Sequence, residues 1–335
     1  MVGAPSDAAG GLKVAGFLLR RLVLGVVVLF VASSASFFFF ATKYLPLRET
    51  PPLHAYWSWL SGLPTGHSLS HGLFGPLLPT VVPALAHTTA LLAMTLVLVV
   101  ALGLLLGCAA ALTRGTVADP VLRGLSYLGW AVPAFLLALV LQQTVGKVAG
   151  GFGLGWFPVG GWAGQCPNGL GTDLHTFRCP AAGTGATYVW HVADHLILPS
   201  FALATGFVGL HGRYLRASLI ESLDAPYTTV ARGKGLPERT VVLRHALRNS
   251  LATFLTAILT DFGAIFGASL AVDFVFQLRG LGSLFVALLN VNSTVPSIDA
   301  YAVELLFLIG GAFVVLASLA AEAALGLLDP RVRLQ

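Results

Sequence analysis

Charge is what this chain has least of. Asp, Glu, Lys and Arg together make up 10% of its 335 residues, against 56% hydrophobic residues and a mean hydropathy of +0.84. A chain so poor in charge cannot cover a water-facing surface, and its composition points to a bilayer instead. Nor is there any stretch of the form G-x-x-x-x-G-K-[ST], so no loop is built to cradle phosphates and the chain does not hydrolyse ATP by itself. The formal net charge of +5 is not gathered on a soluble basic face, which excludes nucleic acid as a partner. Cysteine is scarce, with three residues: Cys108 lies in an apolar run and reads as a small buried hydrophobe, whereas Cys166 and Cys179 flank a short glycine-containing segment. No tandem repeat or low-complexity block divides the sequence, so the membrane part is treated as one domain.

What the chain does have is long apolar runs. Six approach the roughly 20 residues needed to cross hydrocarbon: Leu22–Ala41, Thr88–Leu112, Gly124–Val145, Leu196–Leu210, Leu251–Val275 and Ala302–Leu327. The first is too long and lacks a clean small-residue cleavage site before Lys43, so it is expected to remain as an anchor rather than leave as a signal peptide. With the N-terminus inside, fourteen of the nineteen Lys and Arg residues fall in internal segments, which places both termini in the cytoplasm of a multi-pass inner or plasma membrane protein in contact with lipid. The expected order is a cytoplasmic N-terminus (1–21), a first transmembrane helix (22–41), an extracytoplasmic segment (42–87), a five-helix core (88–328) with a cytoplasmic loop at 213–249, and a cytoplasmic C-terminus (329–335). Outside, Tyr56, Trp57 and Trp59 suit an interfacial aromatic anchor. The segment Lys147–His191 holds Cys166 and Cys179, and in an oxidising compartment a bond between them is expected, stabilising the loop by about 3 kcal/mol.

One polar block interrupts the apolar runs. Arg213–Asn249, RYLRASLIESLDAPYTTVARGKGLPERTVVLRHALRN, carries seven of the Lys and Arg residues and is too patterned for a spacer. Asp224 suits an N-cap and Pro226 the first turn of a short helix, with Tyr227, Val230 and Ala231 at neighbouring positions of one face. Gly233 and Gly235 suit its end. Pro237 and Glu238 then restart a helix, a proline and an acid both favouring a first turn. A short helix with small residues and one aromatic is suited to a groove on another protein.

The stretch YTTVARGKGLPERTVVLRHALRNSL resembles the cytoplasmic coupling loop of permease subunits of ABC-type importers, in particular the oligopeptide, dipeptide and nickel branch, with its Y-x-x-T-A-R-A-K-G-L and later H-A-L-R-N. His195-Leu-Ile-Leu-Pro199, Val275-Phe276 with Gly280-Leu-Gly282, Asp329-Pro-Arg-Val-Arg333 and the LGWFPVGGW of Leu154–Trp162 agree in order, so the resemblance covers most of the chain beyond the second span. The departures are Gly233 for alanine, Asp273 for glutamate, Arg279 for the proline of a P-G-L-G turn, and Gly66-His-Ser-Leu for G-D-L-G. The resemblance implies an all-α polytopic fold of the type I (MetI-like) importer permease with six transmembrane helices. It also implies a second homologous permease, two ATP-binding subunits that hold ATP and Mg2+, and an extracytoplasmic binding protein. This chain would then carry no cofactor, no metal and no catalytic residue. Asp224, Ala225, Pro226, Tyr227, Val230, Ala231, Arg232, Gly233, Lys234 and Gly235 would form the ATPase coupling segment, and peptides delivered by the binding protein would be the cargo.

Other residues are open to more than one reading. Asp261 stands in the middle of the fifth apolar run, where an ionisable group is costly and faces the bundle interior or a water-filled path; it is read as lining the translocation pathway, with a structural hydrogen bond to another helix as the alternative. Gln142 and Gln143 carry the same choice in the third run, and Glu304 and Glu322 read equally as polar contacts between helices. His191 and His195 have metal-binding i, i+4 spacing, but Val192 stands where a zincin has glutamate. Nickel or another small solute is the alternative cargo within the family. From other classes, an intramembrane enzyme using His191, Asp194, His195 or Asp261, and a proton-driven secondary transporter using Asp261, remain open. The latter leads one to expect inverted repeats with paired broken helices, which the sequence does not display.

Overall fold

The computed structural model describes residues 7–44, 52–63, 78–151, 158–162, 184–289 and 300–328. The elements are α1 (Asp7–Tyr44), α2 (Pro52–Gly62), α3 (Leu78–Leu112), α4 (Ala118–Ala131), α5 (Ala134–Gly151), α6 (Ala186–Asp224), α7 (Pro226–Gly233), α8 (Glu238–Thr240), α9 (Leu247–Thr260), α10 (Phe262–Phe276), α11 (Leu281–Leu288) and α12 (Ala300–Leu328). A wider π-type turn over Val241–Ala246 joins α8 to α9. Helices account for every element among the described residues, as the all-α reading expects.

Four helices contain spans long and apolar enough to cross a membrane: Leu19–Phe39, Pro79–Leu112, Ala186–Asp224 and Tyr301–Ala323. The other two expected spans are bent pairs rather than rods, α4 with α5 at 93° and the α8–α9 run with α10 at 51°. Gly124–Val145 is therefore not one continuous helix. Pro133 offers no N–H to the preceding turn and forces Val132 out of the helical region, to φ −86°, ψ 118°. Within the segment 42–87, α2 occupies Pro52–Gly62 and α3 already begins at Leu78.

The chain divides into two compact units, one of Met1–Pro83 with Leu284–Gln335, the other of Ala84–Ser283. In the first, α1 packs along α12. Val315 fills the space a side chain at Gly25 would need and Leu29 that at Gly311, while Arg21 pairs with Glu322 at 3.0 Å. Glu304 is fully buried in this unit. The expected aromatic anchor divides: Tyr56 and Trp59 are buried against Phe37, with ring centroids at 5.1 and 6.1 Å, and only Trp57 stays exposed. The reason is the phenylalanine run of α1, which offers the two rings more apolar contact than an interface does.

In the second unit α6 is the hub, and glycines let its neighbours close in. A Cβ at Gly209 would strike the Ser126 carbonyl oxygen of α4, and one at Gly129 would lie 3.0 Å from Thr205 O. On the side towards α3, a Cβ at Gly107 would lie 2.8 Å from both Gly212 O and Leu215. Small residues at such crossings gain dispersion contact between backbones, which is what drives helix association in lipid. Cys108 packs against the small cluster of Ala111, Leu219 and Ala246.

Candidate functional site

The end of α6, the break at Ala225 and α7 form the polar block's centre. Ala225, at φ −72°, ψ 150°, takes the cap position of α7, and Pro226 opens the helix as proline suits. Asp224 is not the cap: it is the last residue of α6, and its carboxylate meets Arg114 Nη1 at 2.9 Å. The hydroxyl Thr228 Oγ1 does the tethering instead, 2.6 Å from Ala225 O and 2.9 Å from Leu223 O. An S/T hydroxyl reaching back to carbonyls holds the turn where a cap side chain does not.

The other end of α7 is closed by its backbone. Gly235 N–H donates to Arg232 O at 2.9 Å and Leu236 N–H to Ala231 O at 3.4 Å, with Gly235 in the left-handed region at φ 77°. This is the Schellman arrangement, and it requires a residue that tolerates positive φ after the helix. Gly233 does not share that task, because it is the last helical residue and its φ is not positive. Pro237 then caps α8 and Glu238 begins it, so the segment is helix, glycine break, helix.

The faces of α7 are not as the spacing suggests. Ala231 is buried with Thr228 against the chain itself, while Tyr227 and Val230 are exposed at 43% and 58%. A helix of two turns lying on its own protein has to surrender one side to it, and Ala231 is small enough to sit there. Arg232 is also engaged within the chain: its guanidinium donates to Glu238 Oε2 and Oε1 at 3.0 and 2.8 Å and to Leu223 O at 3.1 Å. That bidentate pair holds the Glu238 carboxyl below the ordinary carboxylate range, so the staple is present at neutral pH and is lost as pH falls through the lowered value. Both partners are exposed, which keeps its energetic worth small and its geometric worth the larger.

Further contacts, which the sequence reading did not pick out, tie this block to the spans. Arg216 Nη2 donates to both oxygens of Asp119, at 2.9 and 3.2 Å, and its Nε to Ala110 O at 3.2 Å, so one side chain of α6 grips both the end of α3 and the start of α4. Ser250 of α9 donates to Ser222 of α6 at 3.1 Å. These contacts join α6 to α3, α4 and α9.

The candidate pathway residues separate. Gln142 is buried, donating to Val275 O at 2.8 Å and Val159 O at 3.2 Å, which fits a structural clamp rather than a lining residue. Gln143, its neighbour, is exposed. Asp261 sits at the bend between α9 and α10, with Oδ2 3.2 Å from Nε2 of the fully buried His211. His195 turns its Nδ1 to His191 O at 2.7 Å, within its own helix. Cys166 and Cys179 lie outside the described residues, and Cys108 is a free thiol.

A second organised corner follows α10. Asp273, buried, accepts from Gly280 N at 3.0 Å, Ser283 N at 2.9 Å and Ser283 Oγ at 3.1 Å, and Thr88 Oγ1 accepts from Leu281 N at 2.9 Å. Gln277 and Arg279 both adopt positive φ, 53° and 59°. A proline could not occupy position 279 here, because its ring fixes φ near −65°. The departure from the P-G-L-G pattern is thus a change of backbone as well as of side chain.

Comparison with known proteins places these features in a family. The family described as binding-protein-dependent transport system inner membrane component matches residues 103–334, a range that contains α7, α9 and α10. The dipeptide transport system permease protein DppB of Lactococcus lactis subsp. cremoris (strain MG1363) is 27% identical over 95% of this chain and 99% of its own length. The oligopeptide transport system permease protein OppB of Escherichia coli (strain K12) is 28% identical, covering 81% of this chain and 85% of its own. DppB of Bacillus subtilis (strain 168) is 30% identical over 71% of this chain and 65% of its own.

Proposed function

The chain belongs to the binding-protein-dependent transport system inner membrane components, and from that premise we propose that it is the permease through which an ATP-driven importer carries peptides. Its partners on this reading are a second homologous permease, two ATP-binding subunits that hold ATP and Mg2+, and an extracytoplasmic binding protein that delivers the cargo. Nickel or another small solute is the alternative within the family, and the permease names of the relatives favour peptides.

The observation that carries the coupling role is the construction of α7. It is fixed to its own chain by Thr228, Ala231 and Arg232, closed by Gly235, and left with Tyr227 and Val230 exposed side by side. A helix held rigidly and presenting an unpaired aromatic and aliphatic pair is built to be gripped. Closure of the ATP-binding subunits moves α7 as a rigid body, and Arg216 and the Ser222–Ser250 contact pass that movement to the spans, shifting the population between inward- and outward-facing states.

Truncating the gripped ring tests this. Burial of a large apolar side chain contributes about 1.5–3 kcal/mol, so Tyr227→Ala is expected to weaken retention of the ATP-binding subunits about tenfold or more, whereas Thr240→Ala does little. Co-purification of the complex from membranes at equal permease levels reads this directly; equal retention by Tyr227→Ala and the unmodified chain contradicts it. The orientation has its own test. In a cysteine-free background, Ser70→Cys is expected to react with an impermeant maleimide on intact cells and Thr240→Cys to react only after lysis, and the reverse pattern overturns the topology.

A further inference from the structure

Glu304, near the start of α12, is a carboxylate that the chain seals in without a partner of opposite charge. It is 0% exposed, and neither Oε1 nor Oε2 makes a hydrogen bond. Glu322 on the same helix shows the usual solution, with Arg21 of α1 meeting it at 3.0 Å, whereas no Lys, Arg or His among the described residues pairs with Glu304. A charge within a span persists only where something pairs with it.

The groups around it are hydroxyls. Ser33 and Ser36 of α1 are the polar side chains beside the carboxyl, and neither meets it in hydrogen-bonding geometry. Span hydroxyls elsewhere give their proton to a carbonyl of their own helix, as Ser34 does to Phe30 O, Thr95 to Leu91 O and Thr205 to Phe201 O, each at 2.7 Å. Ser36 does not: its Oγ is sealed from solvent and makes no hydrogen bond. The buried Tyr56 hydroxyl of α2 adds a third oxygen to the group, 3.2 Å from Ser33 Oγ. Phe37 and Trp59 lie against the Tyr56 ring, with centroids at 5.1 and 6.2 Å, and Tyr301 of α12 lies against Phe37 at 5.8 Å, so an aromatic shell closes the group off.

We infer that Ser33, Ser36, Tyr56 and Glu304 form a binding site for a monovalent alkali cation of the sodium type, held between α1, α2 and α12. The donor set decides the class. Two carboxylate oxygens and three hydroxyls, with no nitrogen or sulfur, suit a hard cation, and no three His, Cys, Asp or Glu side chains come together among the described residues as a zinc-type ion requires. One carboxylate balances one positive charge, so a divalent ion would leave a net charge where the dielectric is low. A proton would engage one carboxylate oxygen and a single acceptor, whereas an alkali ion engages both carboxylate oxygens and the hydroxyls together. On the proposed topology this end of α12 faces outward, and the ion enters from there. The site is independent of the cargo and of the coupling role, since its residues all belong to the unit that contains α1, α2 and α12.

The test uses the assembled transporter in lipid nanodiscs, with radioactive sodium as the probe in choline buffer. The unmodified complex is expected to bind sodium saturably, and a complex carrying Glu304→Gln to lose that component. Ser36→Ala keeps the charge and removes one oxygen, so it is expected to weaken sodium about tenfold, the worth of one contact to a charged group. Glu322→Gln, at the other acid of α12, leaves binding unchanged. In a second arm, replacing choline by sodium at equal ionic strength, at about tenfold excess over the dissociation constant, is expected to raise the melting temperature of the unmodified complex by about 2–4 °C and to leave Glu304→Gln unmoved. Sodium binding that survives Glu304→Gln overturns the inference, and so does an unmodified complex that binds no sodium saturably, which means that a proton alone holds the carboxyl. Where Glu304→Gln does not assemble, Ser36→Ala decides the matter, and sodium binding of unmodified strength in that variant overturns the site.

Discussion

Gly235→Val is expected to reach the membrane at near-normal levels and to lose transport. A Cβ at Gly235 meets no atom within 4 Å, so the substitution creates no clash, and its whole effect is on the backbone at φ 77°. A β-branched residue in the left-handed region costs about 1–3 kcal/mol, enough to open the Schellman closure that ends α7 rather than to unfold distant spans. The helix then loses its fixed exit, Tyr227 and Val230 move away from their position, and the ATP-binding subunits close without pulling the spans. Uptake is expected to fall about tenfold or more, since 1.4 kcal/mol is a factor of ten in such an equilibrium, and substrate-stimulated ATP hydrolysis falls with it. Gly235→Asn is the control, because asparagine tolerates positive φ and is expected to keep most of the activity. Uptake and hydrolysis of reconstituted complexes at equal protein levels decide the matter; normal values for Gly235→Val contradict the role given to the turn.

Gly209→Leu is expected to act through the fold instead. The Gly209 Cα lies so close to the Ser126 carbonyl that even a methyl group cannot be placed there, and the obstacle is backbone, which has no rotamer to move aside. Forcing bulk into such a contact costs about 1–3 kcal/mol or more, and the relief available is separation of α4 from α6. Both helices are held at the far end by Arg216 on Asp119, so their separation also frees α6 to shift relative to the coupling segment. Reduced amounts of folded protein in the membrane and a lower melting temperature in detergent are the expected readings. Wild-type yield and melting temperature for Gly209→Leu mean that the α4–α6 crossing is not the close one described.

How much of this was legible in the residues depends on the length scale of the signal. The polar block and its helix, break, helix pattern follow from Pro226, Gly235 and Pro237, each of which acts on its own backbone and needs no partner. The spans follow from hydropathy, which counts residues without regard to shape and so does not register the 93° corner at Pro133, although a proline preceded by a β-branched residue marks it. The misassigned cap has the same root: Asp224 is a good N-cap residue by type, but α6 continues through it, and Arg114, distant in sequence, offers its carboxylate an ion pair. Helical spacing groups Ala231 with Tyr227 and Val230, and only tertiary packing shows that the chain keeps Ala231 for itself. His211 carries no local signal, lying in an apolar run as a lone histidine; the intramembrane Asp261 was the one hint that a partner was needed. Gln142 looked like a lining residue by polarity alone, and the carbonyls of Val159 and Val275 that occupy it belong to remote segments.

The central claim is that α7 is the grip by which ATP-binding subunits move this permease. Its most direct measurement is site-specific cross-linking of Val230→Cys, in a chain otherwise free of cysteine, within membranes that contain the whole transporter. Val230 is 58% exposed and points away from the chain's own packing, so a short thiol-to-amine cross-linker is expected to join it to an ATP-binding subunit, with a yield that changes when ATP is added. The same reagent at Thr253→Cys, on the exposed side of α9, is expected to give no such product. A Val230 adduct to the binding protein, or none to any ATP-binding subunit, contradicts the account.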